Sequence, residues 1–193
     1  MLTGIILVVL AVLFRFATDA FHYWNFVPMG AIALYAGAKL PRRYAWLVPV
    51  AGMILSDLVI DFGRGRSINE LWRWVGYATL GVSALLGPLT RVQKFGWWRY
   101  PALSLGASTL FFLTSNFAVW AEGRIYPMTA AGLITCYYLG IFFFWPTIVA
   151  DLAGTAAFFG LGPVVEGALR RSGFAHPDAF PAEAEVPQSS HAS

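Results

Sequence analysis

An all-α membrane protein is the fold class this sequence predicts, and three observations carry it. Of 193 residues, 58% are hydrophobic and only 12% are charged, where a soluble globular domain carries about 25% charged residues. The mean hydropathy is +0.63. The charges fall between long apolar runs, and those runs have the length of helices that cross a hydrocarbon core of about 30 Å.

Six spans follow in order, at 1–17, 26–38, 44–62, 71–90, 101–120 and 142–169. The first resembles a secretory signal in its apolar character. It lacks a basic stretch ahead of the apolar run, however, and its first base, Arg15, comes after most of that run, so it reads as a transmembrane helix. The second is short. About 13 residues at about 1.5 Å each reach roughly 20 Å, so it needs help from neighbouring helices, a thinned bilayer, or extension into Tyr23–Asn25. Between the fifth and sixth spans, 128–141 (MTAAGLITCYYLGI) is apolar but too short to cross, and no charge is available for a return turn at 142–146. A helix lying at the surface or dipping in is expected there. The remainder, 172–193, is rich in Pro, Ala, Glu and Ser and reads as a disordered cytoplasmic tail behind a single membrane domain, 1–171.

The bases set a topology. With six spans, one side holds Lys39, Arg42, Arg43, Arg91, Lys94, Arg99, Arg170 and Arg171, and the other holds the smaller set Arg15, Arg64, Arg66, Arg73 and Arg124. The excess places both termini in the cytoplasm of a multi-pass inner-membrane protein. The formal charge of +3 comes from bases scattered in pairs. They form no stripe along one face, which argues against nucleic acid as a partner. A single cysteine, Cys136, allows no internal disulfide and no thiolate cluster.

Chemistry-bearing residues gather toward the outer ends of the spans. The stretch 114–127, TSNFAVWAEGRIYP, puts Asn116, Trp120 and Tyr126 where a helix leaves the membrane, and 21–38 places Trp24 and Asn25 similarly. Aromatic residues at such boundaries are usually anchors, but with two amides they also make a stacking and hydrogen-bonding site. Asn116 can bond a ligand through both amide atoms, but taken alone it reads rather as glue between helices. Asp57 and Asp61, four apart, share a helical face and repel in a low dielectric. Either Arg64 and Arg66 fold back to pair with them, or they form the wall of a solute pocket or a cation site. Asp151 stands deeper, with no base within a turn, and should face the bundle interior, hydrogen-bonded to hydroxyls or serving a function. Small residues at Gly30/Ala33/Gly37 and Ser104/Ser108 point to close helix packing. His22 is the one histidine near the membrane, since His176 and His191 are in the tail, so haem and transition-metal sites lack ligands. No phosphate-binding glycine loop occurs. Neither a cofactor nor a metal is expected, and the chain does not read as an enzyme.

Taken together, NFVPMGAIALYAGA, VPVAGMILSDLVID, FFLTSNFAVW and YPMTAAGLITCYYLGIFFF resemble a family of small bacterial integral membrane proteins of unknown function described as putative transport proteins. That family is similar in size and layout to the substrate-binding S components of energy-coupling-factor vitamin transporters. The resemblance implies a six-helix bundle with an outward-facing pocket for a vitamin-like or other small solute, and an energising ATPase with its coupling subunit as partners. The first helix lacks the Ala-x-x-x-Ala face with which S components dock that subunit. The walls expected for the pocket are Asn25, Asp57, Asn116, Trp120 and Tyr126, with Asp61 behind them. The other reading is a membrane scaffold or assembly protein, in which the aromatics only anchor and the acids only pair with Arg64, Arg66 and Arg124.

Overall fold

The computed structural model describes residues 2–22, 25–62, 64–65 and 70–171. The expected tail at 172–193, the aromatic pair Tyr23 and Trp24, and Arg66 lie outside the described residues. Among the described residues every regular element is helical: α1 (Leu2–Ala20), α2 (Met29–Lys39), the single turn α3 (Arg42–Ala45), α4 (Leu47–Phe62), α5 (Leu71–Leu85), two 3₁₀ segments (Gly87–Arg91 and Gln93–Trp98), α6 (Arg99–Ala121) and α7 (Ala130–Arg171).

Four of these stretches are long and apolar enough to cross a membrane: Leu2–Ala20, Arg42–Asp61, Gly96–Ala121 and Ala130–Val165. The six expected spans are therefore not all present as crossing helices. At 15 residues, α5 is shorter than a comfortable crossing. The difference at α2 is larger. Its 11 residues rise only about 16 Å, roughly half the hydrocarbon core. It begins at Met29 rather than extending back through Asn25, because the chain turns away through positive φ at His22 (58°) and Asn25 (60°).

α2 is the centre of the molecule. Every residue from Met29 to Ala38 is buried, and the core of Leu7, Ala11, Val27, Met29, Ile32, Tyr35, Ala36, Val48 and Leu80 forms around it. Lack of side chains permits the approach: a Cβ on Gly37 would overlap the Ala84 carbonyl at the end of α5 and crowd the backbone of Gly87. The close helix packing expected from Gly30/Ala33/Gly37 is thus found at Gly37.

α6 and α7 form an antiparallel hairpin. Tyr137 donates to the Leu113 carbonyl (2.8 Å), Phe112 stacks on Phe144 at 4.4 Å, Ser108 meets Asp151, and Tyr100 lies 4.8 Å from Phe159. The surface helix expected at 128–141 is instead the first part of α7, one helix of 42 residues with Pro146 and Pro163 inside it. At about 1.5 Å per residue it is roughly 63 Å long, twice the hydrocarbon core, so its last turns overhang the start of α6.

Candidate functional site

Among the described residues, buried acidic side chains form two groups in the bundle, and a cavity adjoins both. The first is a charge cluster. Asp57 on α4 is 1% exposed, Asp61 one turn later 5%, and Arg73 near the start of α5 6%. One nitrogen of Arg73, Nη1, lies 2.9 Å from Asp57 and 2.7 Å from Asp61. Its Nη2 reaches Glu70 at 3.3 Å. Arg15 of α1 pairs with the other oxygen of Asp57 and donates through Nε to Ser56 (3.2 Å), and Tyr77 donates its hydroxyl to Asp57 (2.6 Å). Two helices, α1 and α5, thus supply the opposite charges that two carboxylates on one helical face require. The expected fold-back of Arg64 is replaced by a different pair: Arg64 lies on Asp19 at 2.7 Å. Arg15 and Arg73, counted from sequence with the bases of the connections, are the partners of these acids within the bundle.

The second group is at the N-terminus of α2. The first N–H groups of a helix lack acceptors, and Pro28, ahead of α2, offers no side-chain cap. Asp151 reaches across from α7 to supply one. Its Oδ1 accepts the Ala31 N–H (3.1 Å) and its Oδ2 accepts from Ser108 of α6 (2.7 Å). A negative carboxylate at the positive end of a helix is favourable electrostatically. The site demands glycine at 30, where a Cβ would stand 2.5 Å from Oδ2. Asp151 is 1% exposed and has no ion-pair partner among the described residues. Ser108 lies near the centre of the candidate span Gly96–Ala121, so the carboxylate and the start of α2 stand level with the middle of that span. The sequence expectation of an interior-facing Asp151 bound to hydroxyls agrees with this geometry.

A cavity of about 50 Å³ lies between these groups, lined by Arg15, Asn25, Met29, Gly30, Met53, Phe111, Thr147 and Asp151 among others. It holds a few waters or a solute of a few non-hydrogen atoms: an apolar cavity that takes benzene is about 150 Å³. Of the six residues expected to wall a pocket, Asn25 lines this cavity, Asp57 stands behind Arg15 as its ion-pair partner, and Asp61 is paired with Arg73. Asn116, Trp120 and Tyr126 are elsewhere. Asn116 donates to Phe112 in its own helix (2.8 Å), while Cys136 of α7 donates to its carbonyl (3.3 Å). Trp120 donates through its indole N–H to the carbonyls of Pro127 (3.1 Å) and Thr129 (3.2 Å), closing the turn into α7. Tyr126 is half-buried in that turn. Glu122 beside it accepts the N–H of Leu71 and so caps α5 from outside, as Asp151 caps α2. Sequence reasoning missed Arg15, Arg73, Tyr77 and Thr147. The signal for the first two was present, since both lie inside the expected spans.

These features define a multi-pass helical membrane protein with charged groups inside the bundle. The chain belongs to the family of unknown function DUF6580, which matches residues 1–172. No curated protein and no solved structure matches it, and no relative ties it to the S components of energy-coupling-factor transporters.

Proposed function

We propose that this protein binds a small solute within the membrane and belongs to the transport class, with its site in the cavity at the start of α2. The observation that supports the reading most is the half-length helix α2. Its N-terminus sits at mid-depth beside a cavity, faced by Asp151 and Arg15. Discontinuous helices whose ends point into a midplane site are the way many transporters hold solutes, and intramembrane charges are costly unless they serve such a site. Asn25 and Thr147 supply further polar groups, Asp57 and Ser56 hold Arg15 in place, and Asn116 and Trp120 fix the hairpin that carries Asp151. In this reading the basic end of the bundle, with Lys39, Arg42, Arg43 and Arg91, faces the cytoplasm of a bacterial inner membrane. The cavity opens to the other side.

The test is the melting temperature of detergent-purified protein against a panel running from two-carbon acids and amines to vitamins, in the natural chain and in Ala107→Phe, which fills the cavity. A ligand at 100 times its Kd stabilises by about 2.7 kcal/mol. The expected result is a shift with a small solute that disappears in Ala107→Phe. A shift that survives the filling, or one confined to vitamin-sized compounds, would contradict this siting. A flat response across the panel would favour a scaffold, in which the buried charges only fix helix pairing.

A further inference from the structure

The two charges that line the cavity are of opposite sign, and each has unused capacity. Asp151 is an acid with no cationic partner among the described residues, held by two hydrogen-bond donors and a helix end. A carboxylate offers about four acceptor positions, so some remain open. Arg15 uses Nε on Ser56 and Nη2 on Asp57, which leaves Nη1 without a protein acceptor among the described residues. Both residues line one small cavity whose other walls are mainly apolar, including Met29, Met53 and Phe111.

From this geometry we infer that the solute is a small zwitterion, an amino acid of glycine or alanine size. Its ammonium group lies on Asp151 and its carboxylate on the free arm of Arg15. The inference rests on the reading of the cavity as a solute site. A simple cation would satisfy Asp151 but bring like charge to Arg15, and a simple anion would do the reverse. A neutral solute would leave the open acceptor positions of Asp151 and the Nη1 of Arg15 without charge-assisted partners in a low dielectric. A zwitterion meets both groups with charge-assisted hydrogen bonds. The volume excludes long side chains, and the apolar walls accept a methyl group.

The experiment is equilibrium binding of radiolabelled L-alanine to detergent-purified protein, with unlabelled glycine, propionate and ethylamine as competitors. Asp151→Asn keeps the Ala31 acceptor and the shape, so it should fold. Arg15→Lys keeps the charge beside Asp57 but removes the second arm. The expected result is saturable binding displaced by glycine and not by propionate or ethylamine, weakened at least about tenfold in each variant, as the loss of one charge-assisted bond implies. Binding unchanged in Asp151→Asn overturns the inference, as does displacement by propionate or ethylamine alone as effectively as by glycine. Absence of alanine and glycine binding also overturns it. In that case the solute panel with Ala107→Phe still decides separately whether the cavity is a solute site of another chemistry.

Discussion

Arg73 is the residue on which the charge cluster depends, because one guanidinium nitrogen serves both Asp57 and Asp61. Removing one member of a buried pair leaves an uncompensated charge and costs about 3–5 kcal/mol, whereas replacing all members by apolar or neutral groups costs far less. Arg73→Met should therefore lower stability by about that amount in detergent unfolding, and adding Asp57→Asn and Asp61→Asn should restore part of it. At Gly30, alanine would push the Asp151 carboxylate off the start of α2, at about 1–3 kcal/mol as for other overpacked sites. Gly30→Ala combined with Asp151→Ala should cost less than the sum of the two single changes, because the side chain that clashes is then gone. Residues of this kind were only half legible. That Asp57, Asp61 and Asp151 need partners follows from their cost in a membrane. Which residues supply them depends on helix neighbours far apart in sequence, and a helix N-terminus gives no sequence sign that it is capped from another helix.

Among the elements, α2 carries the strongest demand on packing. Gly37→Ala should destabilise by more than about 1 kcal/mol, since the new methyl meets the backbone of Ala84 and Gly87 rather than a movable side chain. Gly106 in α6 has nothing within 4 Å of its would-be Cβ. There the same change should be neutral or stabilise by about 0.5–1 kcal/mol, the usual gain of Ala over Gly in a helix. The contrast, read by thermal unfolding of the two variants, separates close approach from mere helix propensity. The small-residue spacing that marks α2 was visible in the sequence, as was its shortness. Its stopping half-way was not, because hydropathy measures how apolar a run is and not where its backbone turns. α7 misled in the opposite way. The run 128–141 is too short to cross, and it was expected as a surface or dipping helix ahead of a span starting at 142. The packing of Tyr137, Phe144 and Asp151 along α6 holds one continuous helix instead.

At the scale of the whole molecule, the membrane class, the all-α composition and the apolar crossings at α1, α4, α6 and the middle of α7 were legible from composition and run length. The cavity was not, since it is made by α1, α2, α4, α5, α6 and α7 together. Moving Arg15 and Arg73 from the connections into the bundle also strengthens the charge bias, because the end opposite Lys39, Arg42, Arg43 and Arg91 then keeps fewer bases. For a solute to be taken up as proposed, water and small solutes must reach the start of α2 from the non-cytoplasmic side. Cysteine labelling tests it directly. Cys136 is the single natural cysteine and is buried, so Cys136→Ala gives a silent background. In that background, Thr147→Cys, which lines the cavity, is compared with Val149→Cys, on the outer surface of the same helix. In right-side-out vesicles treated with a small membrane-impermeant thiol reagent, the cysteine at 147 should react and the one at 149, surrounded by lipid, should not. Reaction at 147 only from the cytoplasmic face, or at neither position from either face, would contradict the account.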